Sequence, residues 1–165
     1  KGLEVIEAAY LFDVKAEQIQ VVVHPQSLIH SLVRTNDGML YGQISDPDMK
    51  HPIFFFFSWP ENKQTYLERF ELFDKEMTFY KPRMDDFPLL QYAFDCVKNG
   101  PVYPIVFNAA NEVAVHAFLD KKIDYLSIAR IVKTVLDKSW ENKIHSFDDV
   151  FETDLQARKY AGELI

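Results

Sequence analysis

Asp86-Phe-Pro-Leu-Leu-Gln-Tyr-Ala-Phe-Asp-Cys-Val-Lys-Asn-Gly100 is where the chain changes its period. Before it, apolar residues come in short β-branched runs. From Asp86 onward they recur at helical spacing, so the chain reads as α+β. Pro88 suits the first turn of a helix over about 88–98, and Asn99-Gly100 makes a C-terminal stop. Pro101 and Pro104 open a second helix reaching about Lys121. Asp124 is placed to cap a third, in which Tyr125, Ile128, Val132 and Val135 form an apolar stripe. Ser146 and Asp149 have capping-box spacing for a fourth, to about Leu164. Four helices with short connections predict a C-terminal helical bundle over 86–165.

Working upstream, residues 60–85 are mixed in charge and carry no clean period. They read as a linker with one short strand at 76–80. Residues 1–59 read as part of a different lobe. Its first element is a helix over 1–13, with Leu3, Ile6 and Tyr10 on one face and Val5, Ala9 and Phe12 broadening it. Ile19–Val23 is β-branched throughout most of its length, as in a strand buried on both faces. Leu28–Thr35 and Met39–Ile44 are two further strands. Asp37-Gly38 between them supplies the positive φ of a tight hairpin turn. A short helix fits at about 52–58, between Pro52 and Pro60. The lobe is therefore a helix feeding a mixed or antiparallel sheet.

Composition narrows the classes. The 165 residues are 48% hydrophobic and 26% charged, with 8 Pro and 5 Gly, which is a folding composition and not a disordered one. A net charge of −7 disfavours a nucleic-acid partner, which asks for a basic face. The longest apolar run, Ile53–Phe57, is far short of the about 20 residues that span a bilayer, so no membrane partner is expected. A single cysteine, Cys96, excludes an internal disulfide and fits a reducing cytosol. The first residue is not Met and a helical pattern starts at once, so the sequence is expected to be the C-terminal piece of a longer protein.

Four motifs carry possible chemistry. Lys1 and Glu4, at i and i+3, share one helix face. They can be a plain surface ion pair. They can also divide the labour of a site, the ammonium gripping an anionic or hydroxylated substrate and the carboxylate ligating a hard divalent cation. Glu7 lies one turn on, as a second ligand or a solvated partner. His24-Pro-Gln-Ser-Leu-Ile-His30 puts polar groups on a loop after a strand, where active-site groups often sit. The pair of histidines lacks a neighbouring cysteine or third histidine, which argues against zinc, and either one can instead satisfy a buried backbone group. Asn108-Ala-Ala-Asn111-Glu112 puts two poor helix formers within one turn. They tie helices together or reach a neighbouring lobe. Phe54–Phe57 reads as core, or as an interface in a larger protein. No Gly-x-Gly-x-x-Gly, P-loop, Gly-x-Ser-x-Gly or zinc spacing occurs.

Together, Lys1-Gly-Leu-Glu-Val-Ile-Glu-Ala8, Val23-His-Pro-Gln-Ser-Leu-Ile-His-Ser31, Pro47-Asp-Met49 and Asn108-Ala-Ala-Asn-Glu-Val-Ala-Val115 resemble the 1-deoxy-D-xylulose 5-phosphate reductoisomerase family in order and spacing. The resemblance runs nearly end to end and is weakest over 61–80. It implies an NADPH-dependent oxidoreductase and isomerase of the non-mevalonate route to isoprenoids. Such an enzyme turns the pentulose phosphate into 2-C-methyl-D-erythritol 4-phosphate with Mg²⁺, Mn²⁺ or Co²⁺. It implies a homodimer, cytoplasmic in bacteria and plastidial in plants, and a fragment that is inactive without the cofactor domain and the other metal carboxylates. By the same resemblance, Glu4 is the last of three metal-binding carboxylates and Lys1 binds substrate. His30 lies near the active site as a catalytic candidate, and Met49 lies near the nicotinamide. The other open reading is a stand-alone, non-catalytic interaction module. An upstream coding sequence carrying a glycine-rich nucleotide motif would separate the two.

Overall fold

Two helices of the C-terminal half start at a side chain that accepts from otherwise unpaired N–H groups, and the other two start at a proline. The computed structural model describes residues 1–61, 63–141 and 143–165. Helix α1 spans Gly2–Phe12 and a 3₁₀ turn follows at Ala16–Gln18. Strands β1 (Ile29–Arg34) and β2 (Leu40–Ile44) precede α2 (Lys50–Ser58). Four helices complete the chain: α3 (Pro88–Asn99), α4 (Val102–Leu119), α5 (Tyr125–Leu136) and α6 (Phe147–Gly162). This is the α+β class expected from the change of period.

The caps are those the sequence announces. Pro88 occupies the first turn of α3. Asp124 Oδ1 accepts from Ser127 N at 2.7 Å and Ser127 Oγ at 2.8 Å, opening α5. Ser146 and Asp149 close a reciprocal box at α6, with Asp149 Oδ2 also accepting from His145 N at 2.7 Å. The hairpin turn likewise forms as expected. Gly38 adopts φ 87°, and Asp37 Oδ1 accepts from Met39 N at 3.1 Å and Thr35 Oγ1 at 2.5 Å.

Two compact units result: Lys1–Gln20 with Arg83–Ile165, and Val21–Pro82. The expected divisions, 1–59, 60–85 and 86–165, run along the chain, whereas these units group α1 with the bundle because α1 packs on α3. In the first unit α4 is central, packing on α3, α5 and α6. Its core joins Ala93 and Cys96 of α3, Val102, Val106, Phe107, Ala109, Ala110 and Ala114 of α4, Ile128, Ile131, Val132 and Val135 of α5, and Ala157 and Ala161 of α6. Alanines let the helix axes approach, and the branched residues fill what remains. Each fully buried Val or Ile contributes about 1.5–3 kcal/mol. Burial pushes the Cys96 thiol up to about 12, so it serves as a small apolar filler. Arg158 joins α6 to α4 by donating to Glu112 at 2.5 Å while also holding Asp154 at 2.6 Å. The two carboxylates, Asp154 first, hold its guanidinium above its ordinary pKa.

Four expectations are corrected. The face α1 buries is not Leu3–Ile6–Tyr10: Val5 is 2% exposed, Leu3, Tyr10 and Phe12 are exposed. The apolar stripe is wider than the surface that its main partner, α3, offers it. On α5, Tyr125 lies outside the stripe, edge-on to Phe118 at 5.9 Å, and Ile131 takes a place in it. Ile19–Val23 is not a strand. Val23 forms one isolated antiparallel bridge with Tyr80, and Val22 and Val23 are 40% and 43% exposed. A doubly buried strand needs hydrogen-bonding neighbours on both sides, and among the described residues Tyr80 is its one bridge partner. The same holds for the strand expected at 76–80, of which Tyr80 alone pairs.

Candidate functional site

The first turn of α1 brings Lys1 and Glu4 together. Lys1 Nζ donates to Glu4 Oε2 at 2.5 Å, and both side chains are exposed. The Lys1 ammonium, through this hydrogen bond, holds the Glu4 carboxyl below the usual carboxylate range, against a smaller opposing effect of burial. Glu4 is thus an accessible anion at neutral pH, at the helix end whose dipole favours one. Its turn is anchored from below by Val5 and by Gly2, which packs against Ala93, Leu89 and Phe107. Glu7 is exposed on the next turn. Among the described residues no three His, Cys, Asp or Glu side chains gather as a metal-binding group. Glu4 therefore fits one share of a hard-cation site, and these residues do not assemble the whole of one.

The other candidates belong to the second unit. His30 sits where the ladder slips: Ile29 pairs with Ile44 and Ser31 with Gln43, so His30 is the extra residue of a bulge. Bulges re-aim a side chain relative to its strand. His30 Nε2 lies 3.1 Å from the Ser45 carbonyl oxygen. A carbonyl only accepts, so this geometry puts the proton on Nε2 and leaves Nδ1 as the acceptor. Met49 precedes α2 as its N-terminal cap residue and is 71% exposed. Asp48 supports that turn by accepting from Lys50 N at 2.9 Å, a contact that lowers its pKa.

His24 proves to be a fastener. Its Nδ1 meets the Thr78 carbonyl oxygen at 2.9 Å and its ring stacks on Phe79 at 4.7 Å. Gln26 Nε2 donates to Thr78 Oγ1 at 2.9 Å, and Thr78 N donates to Gln26 Oε1 at 3.2 Å. Val23 and Tyr80 exchange two backbone bonds of 2.9 Å. The start of the His-Pro-Gln-Ser loop is thus clamped to a segment over fifty residues away. Thr78 and Phe79 fall in a stretch that reads as a strand, and nothing local marks them as partners of His24 and Gln26. Gly2 was visible, as a glycine inside a helical pattern. Of the Asn108–Glu112 motif, Glu112 makes the cross-helix tie, to Arg158. Phe55, Phe56 and Phe57 are exposed, so in this chain they are not core.

Known proteins resemble this chain along its whole length. A family model, the DXP reductoisomerase C-terminal domain, matches residues 44–160. The 1-deoxy-D-xylulose 5-phosphate reductoisomerase of Chlorobaculum tepidum is 46% identical over 166 residues, covering 100% of this chain and 44% of its own. That of Zymomonas mobilis is 44% identical and matches 43% of its own length. Among solved structures, the Zymomonas mobilis enzyme in complex with NADPH superposes with a TM-score of 0.93 at 44% identity, over 99% of this chain and 43% of that one. A DOX-P reductoisomerase with fosmidomycin and magnesium gives 0.90 at 37% identity, over 98% of this chain and 43% of that one. The chain spans less than half the length of the relatives it matches. By the family model over most of its residues, and by relatives along its whole length, this chain belongs to the DXP reductoisomerase C-terminal domain family.

Proposed function

We propose that these residues serve a reductoisomerase that converts 1-deoxy-D-xylulose 5-phosphate to 2-C-methyl-D-erythritol 4-phosphate with NADPH. The observation that carries this reading is the exposed Lys1–Glu4 pair, on a first turn anchored by the buried Val5 and the closely packed Gly2. Glu4 supplies one anionic oxygen ligand to Mg²⁺, Mn²⁺ or Co²⁺, and further donors come from outside these 165 residues. When bound, the cation polarises the substrate's oxygens, and NADPH supplies the hydride. Lys1, released from Glu4, would grip the phosphorylated sugar through its ammonium, and Glu4 would be the residue that holds the cation. His30, steadied through Nε2, would offer Nδ1 as a proton acceptor. Met49, exposed ahead of α2, would offer an apolar, adaptable thioether to the nicotinamide. In this reading residues 1–59 complete a catalytic domain, 60–85 link it to the bundle of 86–165, and the whole protein works as a cytoplasmic homodimer.

Glu4→Gln in the full-length enzyme tests the reading. It keeps the size and removes the charge, and kcat/KM falls by at least about a hundredfold, roughly 2.7 kcal/mol. Near-normal activity at limiting Mn²⁺ would reduce Glu4 to a surface partner of Lys1. The 165 residues alone should give no NADPH oxidation with the pentulose phosphate. Turnover above a blank would show that the missing donors and cofactor domain are not needed.

A further inference from the structure

Gly2 stands between the two side chains of the candidate site and faces the opposite way, into the bundle. A Cβ placed on it would lie 3.1 Å from Ala93 Cβ, 3.2 Å from the Leu89 carbonyl oxygen and 3.4 Å from Phe107 Cζ. The first two are tighter than ordinary van der Waals contact, so a neighbour would have to give by a few tenths of an ångström. Neither is free to do so. The Leu89 oxygen belongs to the backbone of α3. Ala93 has no side-chain torsion to turn, and it is fully buried in the core. Phe107 is also buried, on α4. Relief must therefore come from α1. Its next turn is held by the buried Val5, so the first turn would tilt away from α3, taking Lys1 and Glu4 with it.

We propose that Gly2 is a positioning residue: its close approach to Ala93 and Leu89 of α3 sets where the Glu4 carboxylate and Lys1 ammonium stand. Through this contact the helical bundle registers the metal ligand. The proposal rests on the reading of Glu4 as a cation ligand. It also predicts an unusual sign. Alanine favours a helix more than glycine does, so Gly2→Ala would be neutral or stabilising if no close contact mattered.

The test uses the full-length enzyme with Mn²⁺ as the probe, its free fraction read by electron paramagnetic resonance, alongside kcat/KM and Tm. Gly2→Ala should weaken Mn²⁺ binding on the order of tenfold, because misplacement by a fraction of an ångström is costly at a ligating group. Saturating Mn²⁺ should recover part of kcat. The double variant Gly2→Ala/Ala93→Gly reopens the space and should restore most of the affinity. Mn²⁺ affinity within twofold of wild type in Gly2→Ala would overturn the proposal. A loss that Ala93→Gly does not repair would overturn it too. If Gly2→Ala does not fold, the double variant decides: folded with near wild-type affinity sustains the proposal, and any other result rejects it. Glu4→Gln, measured in parallel, separates the two readings. Unchanged Mn²⁺ affinity there defeats the ligand assignment itself. A large loss there with none in Gly2→Ala defeats the positioning role alone.

Discussion

Lys1–Gln20 with Arg83–Ile165, and Val21–Pro82, hold comparable apolar sequence and use it in opposite ways. In the first unit, Val106, Ile131, Val132 and Val135 vanish between helices spaced by alanines. In the second, Leu28 and Ser58 are the buried side chains among the described residues, while Leu32, Val33, Tyr41, Ile53, Phe56 and Phe57 are exposed. The difference follows from how each architecture closes. Helices joined by short loops fold back on one another and complete a core from neighbouring sequence. A two-stranded hairpin has two open faces and two open edges, and it needs a further layer to bury either. The second unit's apolar surface is therefore written for cover that it does not itself contain, and the His24–Thr78 clamp adds a long-range tie to its hairpin.

The sharpest way to break this comparison is to cut one apolar residue from each unit. Ile131→Ala in the bundle should cost about 2–5 kcal/mol, read as a shift of the denaturant midpoint. Phe57→Ser, at a side chain 81% exposed, should change stability by less than about 0.5 kcal/mol. Equal costs would mean that Phe57 is core after all. The same Phe57→Ser, combined with Phe56→Ser, should instead change association. We expect the 19.3 kDa chain to sediment as a dimer or larger species, and the double variant to shift it toward the monomer.

Smaller effects sharpen the picture within the bundle. Ser146→Ala removes one arm of the α6 box and should cost about 1 kcal/mol, lowering Tm without altering the hairpin unit. Acid should act on the same caps. Backbone donors from His145 and Ser146 hold the Asp149 carboxyl below its usual range, and Ser127 does the same for Asp124. A carboxyl whose folded pKa is depressed stabilises fully above its unfolded value. It loses that contribution as pH falls through the folded one. Helical signal should thus fade below about pH 4, and Asp149→Asn should flatten that dependence.

Much of the candidate site was legible because its parts are close in sequence. The i, i+3 spacing of Lys1 and Glu4 foretold their contact, and the Asp37-Gly38 turn fixed a hairpin whose strands carry His30. The bulge that re-aims His30 was not legible. It is a property of pairing, set by which residue of β2 meets which of β1, and period-two patterning does not count unpaired residues. That a histidine of this loop could satisfy a backbone group was legible at His24, but nothing near it revealed that the group would be the Thr78 carbonyl.

By itself, then, the sequence determined the elements whose forces act within about four residues: the capped helices, the tight turn and the Lys1–Glu4 pair. Only the tertiary structure decided what lay between distant segments. It withheld a strand from Ile19–Val23, turned Tyr125 and Leu3 outward, fastened His24 to Thr78 and seated Gly2 against Ala93. The physical reason is common to all four. Propensity and apolar spacing state what a segment can bury or pair. Whether it does so depends on the surface that another part of the chain brings to it.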